Sequence, residues 1–130
     1  MRHSDVLPDL IRRAVVDDIA LYLSEYEIPE PGATLGTPWS RAKVAAELEK
    51  MRACLVEVPY CVEYLCEDFH PVTRDLMHEK RSGFVVAEDG SYRLLFDHEA
   101  EDFVLVSGGD DVGWGSFGIR GDAPTTFMAR

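Results

Sequence analysis

At 130 residues with 46% hydrophobic side chains, the chain has the length of one domain and the apolar content for a single core, which excludes a disordered tail. Thirteen Lys and Arg stand against 24 Asp and Glu, a formal net charge of −11. That excess disfavours nucleic acid and anionic membrane surfaces, since phosphate binding needs clustered cations, and it favours a basic protein as partner.

The first residues, Met1 to Asp5, lead into no apolar stretch of signal length, because Pro8, Asp9 and Arg12 interrupt it, and no run reaches membrane-spanning length. Cys54, Cys61 and Cys66 are then expected as reduced thiols in a cytoplasmic protein.

Apolar residues at three- and four-residue steps (Leu7, Leu10, Ile11, Ala14, Val15, Ile19, Tyr22, Tyr26) predict a helix over 5–26 with one buried face. Ser4 or Asp5 is a suitable cap, and Pro8 suits the first turn. Pro29, Pro31, Pro38, Gly32 and Gly36 make 27–38 a stiff loop, and Trp39 is expected to staple the next helix at its start. That helix, over 40–55, begins at the capping Ser40 and carries Val44, Leu48, Met51 and Leu55 at core spacing.

The period then changes. Val56 to Cys66 is rich in β-branched and aromatic residues, predicting a strand over 58–66 with Pro59 at its start or on an edge. Residues 67–82 read as a polar connection with a helical turn near 74–79. Asp89-Gly90 between Phe84–Ala87 and Tyr92–Phe96 predicts a hairpin with strands over 83–88 and 91–96. An Asp-Gly turn sets Ala87 opposite Tyr92 and Val85 opposite Leu94. Val85, Ala87, Tyr92, Leu94 and Phe96 then face the core. The other face (Phe84, Val86, Leu95, with Glu88 and Arg93) is too apolar for solvent and calls for a helix or a second subunit. Strands over 102–107 and 113–119 follow, then a helical turn capped by Asp122 with Pro124 in it. Two helices ahead of an antiparallel meander of about four strands make a single α+β domain.

Gly113-Trp114-Gly115-Ser116-Phe117-Gly118 spells the dinucleotide pattern, but too little chain follows for its helix and ribose-binding acid. These glycines are expected in a bulged strand. Cys54, Cys61, Cys66, His70 and His78 contain no C-x-x-C pair, so no metal and no cofactor is expected. The thiols are expected as small buried hydrophobes, with a Cys66–His70 nucleophilic pair left open.

No Lys or Arg lies between Arg93 and Arg120, while Asp97, Glu99, Glu101, Asp102, Asp110 and Asp111 all do. Crowded like charges resist burial, so these six are expected to face solvent and bind a basic partner protein, as toxin-neutralising immunity proteins do. With acids throughout the chain, no pair stands out as catalytic, and catalysis is not expected. Two alternatives remain. One is a small-molecule-binding protein or small enzyme with a pocket between helices and sheet, lined by Tyr64, His70, Trp114, Arg120 and Asp122, with Arg120 able to pair with Asp122. The other is a homodimer through Phe84, Val86 and Leu95.

Overall fold

The computed structural model describes residues 3–28, 39–69 and 76–130. The 27–38 loop lies almost wholly outside them, as does His70. The elements run α1 (His3–Glu25), α2 (Arg41–Cys54), β1 (Leu55–Phe69), β2 (Leu76–Asp89), β3 (Tyr92–Asp97), β4 (Asp102–Gly109), β5 (Gly113–Gly121) and α3 (Ala123–Met128). The architecture is α+β with helices first, but the sheet has five strands and closes into a barrel. Four antiparallel pairings run in chain order, and the parallel bridge of Leu65 to Gly115 joins β1 to β5.

Local chemistry sets the helix ends. Ser40 accepts the Lys43 amide at 3.1 Å, and Asp122 accepts the Thr125 amide at 3.1 Å with Pro124 in the first turn. Trp39 packs beside the start of α2 with Lys43 over its ring, and its carbonyl accepts the Tyr26 hydroxyl at 2.6 Å, tying the two helices together. In α1 the buried stripe is Ile11, Val15 and Ile19, whereas Leu10 is half-exposed and Ala14 fully at the surface. The helix begins at His3, ahead of both expected caps.

Three corrections concern the strands. First, β2 already starts at Leu76, so 76–79 is strand and no helical turn occupies it. Second, the β2–β3 turn is Gly90-Ser91: Asp89 pairs with Tyr92 and Ala87 with Leu94. Gly90 takes φ 58° and Ser91 no positive φ, the pattern of a turn that asks for glycine only at its first central position. Third, the register slips between Val85 and Ala87, so Val86 is bulged and the faces differ from a flat hairpin.

Closure gives the sheet two buried faces. Val85, Leu95, Val104 and Val106 fill the barrel with Tyr64 and Cys66. Val86, Ala87, Leu94 and Phe103 pack outward against the three helices, with Phe84 and Phe96 alongside. The expected outer dimer face therefore does not exist: Val86 and Leu95 are buried on opposite sides of their own sheet, and Phe84 packs under the helices. The glycine run is β5, bulged between its pairings at Ser116 and Arg120, with Gly118 at φ 88°. Among the described residues no helix is long and apolar enough to cross a membrane.

Candidate functional site

A period of two carries ionic side chains into the barrel. Asp97 lies two residues beyond the inward Leu95, Asp102 two before the inward Val104, and Arg120 pairs across from Val104. Arg81 pairs across from the inward Tyr64. The apolar interior is consequently plugged at one end by Tyr64, Arg81, Asp97, Asp102 and Arg120.

Asp97 is the centre of the plug, its side chain 1% exposed. Its Oδ2 accepts the Tyr64 hydroxyl at 2.5 Å, Arg81 Nε at 2.6 Å and an Arg120 Nη at 3.2 Å. Its Oδ1 accepts Arg81 at 3.2 Å and the amides of Glu99 and Ala100 at 3.1 Å each. Arg120 also makes a two-point contact with Asp102, both distances 2.9 Å, and donates to Tyr64 at 3.2 Å. Its expected partner Asp122 is instead occupied as the α3 cap.

Burial is the strongest single influence on the Asp97 carboxyl and would raise it. Hydrogen bonds from Arg81, Tyr64 and Ala100 together outweigh burial and hold it well below the usual carboxylate range. Burial, reinforced by the bond to Asp97, pushes the Tyr64 phenol up to about 12. Hydrogen bonds to Asp97 and Asp102 respectively raise Arg81 and Arg120 further above the range where guanidinium deprotonates. An ionised carboxylate with three donors on each oxygen has no lone pair for a substrate proton. The cluster is built to hold the barrel end shut.

Of the six acids read as one solvent-facing group, the structure buries Asp97 and pairs the partly buried Asp102 with Arg120. Glu99 and Glu101 face solvent in the β3–β4 turn, Glu101 with φ 57°. Asp110 and Asp111 are also exposed, but in the β4–β5 turn at the other end of the barrel. The eight residues of β4 separate the two turns by roughly 23 Å at ~3.3 Å per residue. Sequence proximity had merged two distant places. The acid missed by the sequence reading is Glu79, 58% exposed beside Arg81. Inward parity with Leu95 was the available signal for burial of Asp97.

Of the pocket residues, Tyr64 and Arg120 meet in the plug. Tyr64 and Trp114 line a groove of about 390 Å³ along the β1/β5 seam, with Glu63, Lys80 and Gly115. Asp122 is not part of that groove. His70 lies outside the described residues, so the Cys66–His70 pair does too. Cys66 is buried in the barrel and accepts from Arg120 at 3.8 Å, whereas Cys61 is exposed, contrary to expectation. Burial raises the Cys54 thiol, which keeps it protonated. Among the described residues no group of His, Cys, Asp or Glu is arranged to hold a metal ion. No family model matches the chain, and neither a curated protein nor a solved structure does.

Proposed function

We propose that the protein is a non-catalytic binding module whose acidic barrel end engages a cationic face of another protein. One observation carries the reading: both arginines at that end hold Asp97 and Asp102 most closely, and the exposed Glu79 and Glu99 share Arg81 only at 3.4 and 3.8 Å, with Glu101 exposed beside them. Among the described side chains there, six carboxylates (Glu63, Glu79, Asp97, Glu99, Glu101, Asp102) face three cations (Lys80, Arg81, Arg120), an excess of three negative charges. A rigid plug fixes that excess in place, so little ordering is required when a partner docks.

Complementary charge speeds encounter and is screened by salt. The test is capture of proteins by the immobilised chain at low and at high ionic strength. Basic proteins are expected at low salt and released at high salt. A captured set that is neutral or acidic, or that persists at high salt, contradicts the reading. A small-molecule ligand in the seam groove is the second reading, favoured by Trp114 and Tyr64 on its walls. It predicts a ligand-dependent change in Trp114 fluorescence that reversing the rim charges leaves intact.

A further inference from the structure

The opposite end of the molecule carries a cavity whose charge contradicts that of the chain. It measures about 360 Å³ and lies between α2, the β2–β3 hairpin and the end of α3. Steps of four and three residues bring Lys43, Glu47 and Lys50 onto one side of α2, facing the cavity, and Trp39 joins them from just ahead of the Ser40 cap. Tyr92 supplies an aromatic wall from the hairpin.

The two acids lining it, Glu47 and Asp89, are both bound by Arg130, whose side chain is 7% exposed and stacked on Phe127. Lys43 and Lys50 have no carboxylate partner within ion-pair distance among the described residues. Lys43 lies over the Trp39 ring, 4.2 Å from its centroid, so its ammonium rests on a π face. The lining side chains carry three cations against two anions, a local positive excess in a protein of net charge −11. Ammonium groups without a carboxylate at ion-pair distance, beside two aromatic rings, suit a planar ring that bears a negative group: the ring stacks on Trp39 or Tyr92, and the lysines take the charge.

We infer that this cavity is a binding site for a small aromatic anion, a planar ring carrying a carboxylate or a phosphate. It is separate from the acidic end and does not depend on the role proposed there. Isothermal titration calorimetry of the full chain with 2-naphthoate, naphthyl phosphate, 2-naphthol and inorganic phosphate tests it. The two aromatic anions are expected to bind at one site, with 2-naphthol and inorganic phosphate at least tenfold weaker. Lys43→Gln with Lys50→Gln, both on exposed side chains, should weaken the aromatic anions at least tenfold. Lys80→Gln, in the seam groove, should change nothing. Trp39→Ala should also weaken them, and the lysine variants keep the test decisive if that chain fails to fold. No binding of either aromatic anion overturns the inference. So does equal affinity for inorganic phosphate, or equal weakening by Lys80→Gln.

Discussion

At the scale of residues, Asp97 decides what the barrel end is. A buried carboxylate with two guanidinium partners stabilises while its charge is matched; removing it takes away the closest carboxylate of Arg81 and leaves Arg120 with Asp102 alone. Asp97→Asn is expected to lower stability at neutral pH by about 3 kcal/mol, read by urea unfolding. Because the folded carboxyl sits below its ordinary value, its contribution is complete above about pH 4 and fades as pH falls below that. The Asn variant should therefore lose less stability than the native chain between neutral pH and strong acid. Tyr64 works in the other direction. Its phenol is pushed up to about 12, so the folded state holds a proton that the unfolded chain releases near pH 10. Stability is full below about pH 10 and falls as pH rises toward about 12, by roughly 2–3 kcal/mol. Tyr64→Phe should flatten that alkaline limb in a pH series of melting curves; an unchanged limb would show that Tyr64 ionises normally.

At the scale of elements, the caps of α2 and α3 and the helices-then-sheet order were legible because their signals are local, whereas the cap of α1 and the first part of β2 were not. Ser40 and Asp122 need only an amide three residues on, and β3 needs only its own alternation. Barrel closure was not legible, since the Leu65–Gly115 bridge joins residues far apart in sequence through a single parallel pair. Once that bridge forms, the second apolar face of the hairpin is satisfied internally and needs no second subunit. The hairpin register was misread for a reason of similar kind: Asp89-Gly90 satisfies the turn rule, but pairing Asp89 with Tyr92 and bulging Val86 puts Val85 and Leu95 inside the barrel and Val86, Ala87 and Leu94 under the helices. A backbone constraint shows how tight the β4–β5 ribbon is. Gly108 has φ 140°, and a Cβ there would sit 2.0 Å from the Gly113 carbonyl oxygen. Gly108→Ala is expected to cost roughly 3 kcal/mol through strain and strand displacement. Near-native stability in that variant would mean the ribbon can open without penalty.

At the scale of the whole molecule, charge is sorted and not merely abundant. One barrel end holds an ionic plug with acids outside it, and the other holds a small cationic cavity. The overall excess of acid was plain from composition; its division between two ends was not, because Glu101 and Asp110 are close in sequence yet flank the full length of β4. Glu79 and Glu99 meet at Arg81, and no local pattern announces that. The measurement that bears most directly on the proposed role sets two charge reversals side by side in the same capture assay. One variant carries Glu79→Lys, Glu99→Lys and Glu101→Lys; the other carries Asp110→Lys and Asp111→Lys. Loss of the captured basic protein with the first and retention with the second is the predicted result. Equal capture by both variants and the native chain would contradict it, and the acid would then serve only to keep the protein in solution.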